Sequence, residues 1–172
     1  VHINQLDIAQ AVNQNLAALP VQVLTAFCSS LENTRFDGAL TDQLIELFAT
    51  VEYAETQHMI LRGLKGSQCT DKVAMFISAL LTEGQPDTEC LVIIAGRHFQ
   101  LLNDEALLIT FCSKLIAHDP SFQLFRGVYS DLVQVPASRM GLLKLMRKPD
   151  LPTPIANGIA SLYKQVSKRK ST

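Results

Sequence analysis

No apolar run in this 172-residue chain approaches the roughly 18–20 residues that a membrane-spanning helix needs. The longest one, Cys90 to Gly96, is closed by Arg97 and His98 and reads as a buried core helix. No secretory signal pattern follows Val1. Cysteine is sparse: Cys28, Cys69, Cys90 and Cys112 form no Cys-x-x-Cys pair, and no histidine lies at finger spacing from any of them. Such usage suits a reducing compartment, so a cytoplasmic protein is expected. No His-x-x-x-His spacing occurs, and Gly63-Leu64-Lys65-Gly66 lacks the spacing of a phosphate-binding loop. The serines after Cys28 and Cys112 have no Gly-x-Ser-x-Gly context. These absences leave no catalytic residue, no metal ligand and no cofactor-binding residue to nominate. An enzyme is not expected, nor is a small-molecule substrate.

What is present is helical periodicity. Leu40, Leu44, Leu47, Phe48 and Val51 recur at i, i+4, i+7, i+8 and i+11. Val73, Phe76, Ile77, Leu80 and Leu81 make a second stripe; Phe125, Val128, Tyr129, Leu132 and Val133 make a third. Ile155, Ile159, Leu162, Tyr163 and Val166 make the last. No stretch alternates over strand length. Helix starts are well marked. Asp119-Pro120 and Thr153-Pro154 each offer a cap followed by proline at a position that needs no amide. Pro86-Asp87, Thr70-Asp71 and Asn103-Asp104-Glu105 put a capping side chain or an acid where the helix dipole favours it. An all-α chain without a sheet follows, with about ten helices over 4–17, 20–32, 39–51, 53–65, 70–83, 87–100, 103–117, 120–134, 137–147 and 153–168. Gly96 sits inside the sixth of these, where glycine costs stability relative to alanine; a close helix–helix approach is the expected compensation.

One segment echoes another. Phe27-Cys28-Ser29-Ser30-Leu31 returns as Phe111-Cys112-Ser113-Lys114-Leu115, 84 positions later, which is twice 42. A weaker copy, Phe76-Ile77-Ser78-Ala79-Leu80, lies between. Across residues 20–135 this pattern resembles HEAT and armadillo solenoids, whose two- or three-helix repeats run to roughly 40–47 residues. The resemblance implies a right-handed α-α superhelix and an extended binding surface. It implies no catalytic residues. On this reading residues 1–168 are a single helical-repeat domain and residues 169–172 a frayed basic tail. Phe27, Cys28, Phe111 and Cys112 should all be buried at matching places.

A second likeness rests on Val92-Ile93-Ile94-Ala95-Gly96-Arg97, on Tyr129 to Pro136, and on Arg139 with Leu142 to Arg147. These strings are similar to the C-terminal half of a family of uncharacterised gammaproteobacterial proteins with no assigned activity. With the absence of an initiator methionine, the likeness suggests the C-terminal part of a longer protein; a processed mature chain is the alternative.

Charge is uneven although the net is −1. Residues 1–138 hold seven Lys/Arg and fifteen Asp/Glu. Residues 139–172 hold Arg139, Lys144, Arg147, Lys148, Lys164, Lys168, Arg169 and Lys170 against Asp150 alone. Arg139, Lys144, Arg147 and Lys148 are therefore the candidate partner-binding residues, facing an acidic protein surface or a nucleic acid. A solvated terminal helix accounts for the same cations without a partner. Glu55, His58 and Arg62 share a helical face and could orient an imidazole, but such trios are usually surface networks. Arg97 and His98, after the apolar run, need a carboxylate such as Asp104, Glu105 or Asp131.

The apolar fraction of 48% and the mean hydropathy of +0.18 are high for a small soluble domain. Some of that surface is expected to meet another domain or a second copy. The sequence thus points to a non-enzymatic helical-repeat interaction module that binds a protein partner, itself as a homodimer, or its own N-terminal domain. Nucleic-acid binding through the basic C-terminal region is the alternative. Asp42, Glu46, Glu89, Gln123 and Arg126 are the expected liners of such a surface.

Overall fold

The computed structural model describes residues 15–169, and among them it is all-α. The expected helix over 4–17 falls outside the described residues except for its end, where Leu16–Ala18 forms a 3-10 turn. Nine α-helices follow: α1 (Val21–Leu31), α2 (Gly38–Thr50), α3 (Ala54–Gly63), α4 (Thr70–Thr82), α5 (Thr88–Arg97), α6 (Glu105–His118), α7 (Gln123–Gln134), α8 (Pro136–Met146) and α9 (Thr153–Arg169). No strand occurs among the described residues; one parallel bridge joins Phe36 and Ser67. The chain divides into two compact units, Val1–Ala79 and Leu80–Thr172.

In the first unit α3 packs on both α1 and α2. Gly63 makes the α1 contact close: a Cβ there would lie 3.0 Å from the Cys28 carbonyl oxygen. Asp37 caps α2 by accepting hydrogen bonds from the amides of Ala39 (3.1 Å) and Leu40 (3.2 Å). At the far end of α2, the Gln57 side chain of α3 donates to the carbonyls of Phe48 and Val51, both at 3.2 Å. The C-terminal carbonyls that a helix leaves unsatisfied are thereby used to fix its neighbour. After Gly63 the chain tightens into a 3-10 turn, Leu64–Gly66, and meets the 31–36 connection. Phe36 donates its amide to the Gly66 carbonyl (3.3 Å) and accepts from the Gln68 amide (3.0 Å). Behind this bridge Thr41 and Ser67 join hydroxyls at 2.6 Å, both buried. The Phe48 and Phe76 rings meet edge-on with centroids 5.0 Å apart.

In the second unit α6 is central, touching α5, α7, α8, α9 and the 3-10 turn Phe99–Asn103. Asp87 caps α5 through the Cys90 amide (2.8 Å), and Asp104 caps α6 through the Leu107 amide (2.8 Å), as their sequence positions foretell. Gly158 lets α9 settle onto α6 and α7, with Ile116 and Phe125 carbons 3.1 Å from where a Cβ would stand. Tyr129 donates its buried hydroxyl to the Leu142 carbonyl (3.0 Å), and Ser138 donates to the Leu132 carbonyl (2.7 Å). Burial pushes the Tyr129 phenol up, so it stays a donor.

Three expectations need correction. The first is the start of α7, which begins at Gln123 and not at Pro120. Phe122 takes a left-handed conformation, φ 62°, and ends the turn between. The Asp119 carboxylate still serves as a cap, reaching over this turn to the amides of Ser121 (2.9 Å) and Leu124 (2.8 Å). Hydrogen bonds from the Ser121 side chain and the Leu124 amide hold it below the usual carboxylate range. The second concerns the echo. Leu24, Cys28 and Leu31 of α1 are buried, as are their counterparts Leu108, Cys112 and Leu115 of α6. Phe111 is fully buried, but Phe27 is only half-buried. Among the described residues α6 is covered on several sides, whereas α1 leans chiefly on α3 and the turn after it. The third concerns α5, which is shorter than expected and open along one side.

Candidate functional site

The open side of α5 is built from the residues that sequence reasoning assigned to a core helix. Cys90, Leu91, Ile93 and Ile94 are buried, as expected. Val92 is 40% exposed, Gly96 is exposed, and beyond the neighbouring backbone of its own helix no described atom lies within 4 Å of where a Gly96 Cβ would stand. Close helix approach therefore does not explain Gly96. His98 leaves helical backbone (φ −118°, ψ 20°), and the chain turns into the 3-10 segment that brings Phe99 alongside Val92 and Gly96. α7 supplies the opposite wall with Val128, Asp131 and Leu132, and Val135 closes one end. The result is a groove of about 220 Å³ whose lining is apolar apart from Asp131.

The first unit holds a different cleft, of about 600 Å³, where the 32–35 connection faces residues 65–70. Its lining is polar, with Arg35, Lys65, Gln68 and Thr70 beside Glu32.

The four candidate cations lie on or just after α8, and they are not equivalent. Leu142 and Leu145 are buried, so the helix does turn Lys144 and Arg147 outward. Neither side chain has a polar partner among the described residues. Arg139 is exposed but occupied: its guanidinium donates to the carbonyls of Val133 (2.8 Å) and Gln134 (3.1 Å) at the end of α7. Lys148 is paired with Glu105. The side chains of Lys164, Lys168, Arg169 and Lys170 lie outside the described ones.

Asp42 is bound to Lys72 at 2.6 Å, and Arg126 donates to the Ser121 carbonyl. Glu46, Glu89 and Gln123 are exposed, and none lines the groove. Glu55, His58 and Arg62 all lie on α3, the first exposed and the others half-buried. Glu105 and Asp104, proposed partners of Arg97 and His98, are engaged by Lys148 and by the cap of α6. His118, which has no obvious partner in the sequence, bonds the Pro86 carbonyl at 2.7 Å, and Lys114 one turn earlier donates to the Gly84 carbonyl. Ser30 and Ser113 of the echoed motif donate to carbonyls of their own helices, at 2.7 and 2.9 Å. Burial pushes the thiols of Cys28, Cys90 and Cys112 up to about 12, far from a nucleophile's range.

Among the described residues no helix is long and apolar enough to cross a membrane. No curated protein and no solved structure matches this sequence. A family model does, over residues 1–163, a span that takes in the 92–97 and 129–136 strings and both walls of the groove. The chain belongs to the family described as "Protein of unknown function (DUF3549)".

Proposed function

We propose that this chain is a non-enzymatic interaction module of HEAT- or armadillo-like helical repeats, which engages a protein partner through the groove between α5 and α7. The supporting observation is the misfit between sequence and exposure at Val92 and Gly96. A run that is apolar on every side keeps one side in contact with water. An apolar lining in a concave groove takes up an apolar side chain of a partner. At about 220 Å³ the groove is smaller than the roughly 300–1,000 Å³ of small-molecule sites, so it suits a side chain or two of a protein partner. Its wall also offers a single ionisable group, Asp131, where acid–base chemistry calls for positioned partners.

Site-specific photo-crosslinking in the native cells tests the reading. A photoreactive residue at Val92 should yield a discrete adduct, and one at Met75, which is 74% exposed and outside the groove, should not. Absence of any adduct above the Met75 control refutes it. Exposure of Lys144 and Arg147 supports the alternative, nucleic-acid binding through α8, but with Arg139 and Lys148 engaged only half of the nominated cations remain.

A further inference from the structure

We infer that the α5–α7 groove selects a partner segment that carries a lysine or arginine beside its apolar anchor, with Asp131 as the residue that reads the cation. This rests on the interaction reading above. Seven of the eight lining residues are apolar or glycine, and the eighth is a carboxylate. Asp131 is exposed, and its carboxylate has no hydrogen bond or ion pair among the described residues, so none of them neutralises its charge. Arg97, the nearest cation to the groove in sequence, is half-buried and outside the lining; Arg126, on α7 with Asp131, is directed to the Ser121 carbonyl. A segment with an apolar side chain for the Val92–Gly96–Phe99 wall and a cation for Asp131 matches this surface in shape and sign.

Gly96 adds a steric argument. With no described atom beyond its own helix backbone within 4 Å of a Cβ position, a partner side chain reaches the α5 backbone directly, and a larger residue at 96 would occupy that space. A second copy of this chain fits less well. A two-fold contact uses the same patch on both copies, and centred on this groove it would bring two Asp131 carboxylates together, a like-charge arrangement that disfavours the pair.

The test uses a displayed library of random peptides, selected on the native protein and counter-selected on two groove-blocking variants. Val92→Glu puts a charge in the wall, and Gly96→Leu fills it without one. Both positions are open, and far-UV circular dichroism with thermal unfolding checks that each variant is folded. Clones that need the open groove should be enriched in Lys or Arg next to an apolar residue. They should weaken by about tenfold or more on Asp131→Lys, which replaces attraction with repulsion. Groove-dependent clones with no basic preference, or indifferent to Asp131→Lys, overturn the inference and leave the interaction reading standing. Failure to recover any clone blocked by Val92→Glu or Gly96→Leu overturns the inference as well; the crosslinking result at Val92 then decides the broader reading independently.

Discussion

Replacing Gly66 with alanine puts a methyl group where two carbonyl oxygens already are. The new Cβ would stand 2.1 Å from the Thr34 oxygen and 2.2 Å from the Leu31 oxygen, with a Phe36 ring carbon at 3.0 Å. Ordinary contact begins at 3.4 Å, so backbone on one side must retreat by more than an ångström. Little can yield without loss. Leu31 O accepts from the Thr34 amide, Gly66 O from the Phe36 amide, and Phe36 O from the Gln68 amide, at 3.0, 3.3 and 3.0 Å. Each such bond contributes about 1 kcal/mol net, so losing the set costs about 3 kcal/mol. The Thr41–Ser67 hydroxyl pair behind the bridge is disturbed as well. Gly127→Ala is the control: that position in α7 is exposed, nothing lies within 4 Å, and helix propensity predicts a gain of up to about 1 kcal/mol. Equilibrium urea unfolding followed by circular dichroism measures both. A Gly66→Ala variant within about 1 kcal/mol of the parent would refute the close approach of the two connections.

Four further outcomes are expected. Phe111→Ala should cost about 3–5 kcal/mol, as for a fully buried ring, and Phe27→Ala clearly less; equal losses by urea unfolding would contradict the different packing of α1 and α6. In the native protein a maleimide should modify half-exposed Cys69 first, while Cys28, Cys90 and Cys112 react only on unfolding, which mass spectrometry of the labelled chain reads directly. Asp119, held below its ordinary value, contributes stability that is complete above the unfolded pKa of about 3.9 and is lost as pH falls through the lower folded value; Asp119→Asn should flatten the acid limb of the stability profile. Duplex DNA should show no saturable binding at physiological salt in an anisotropy titration, whereas tight, salt-sensitive binding abolished by Lys144→Glu with Arg147→Glu would favour the nucleic-acid alternative.

Helix identity was written locally, so it could be read locally. Apolar spacing and capping aspartates such as Asp87 and Asp104 are decided by residues three or four positions apart, and those elements begin within a residue or two of their expected starts. The buried register shared by Leu24, Cys28 and Leu31 with Leu108, Cys112 and Leu115 was equally legible, because a repeated stripe needs no knowledge of its neighbours. Tertiary structure decided the rest. Phe27 and Phe111 share a motif but not an environment, since burial depends on how many helices cover a stripe and not on the stripe itself. The start of α7 turned on a left-handed Phe122 that no propensity foretells. Arg139 and Lys148 looked like a patch with Lys144 and Arg147 until the end of α7 and the distant Glu105 engaged them. The groove could not be seen in the chain at all. Val92, Gly96, Phe99 and Asp131 become a site only when α7 crosses α5 and leaves one face of an apolar helix uncovered, a fact of packing that periodicity cannot carry.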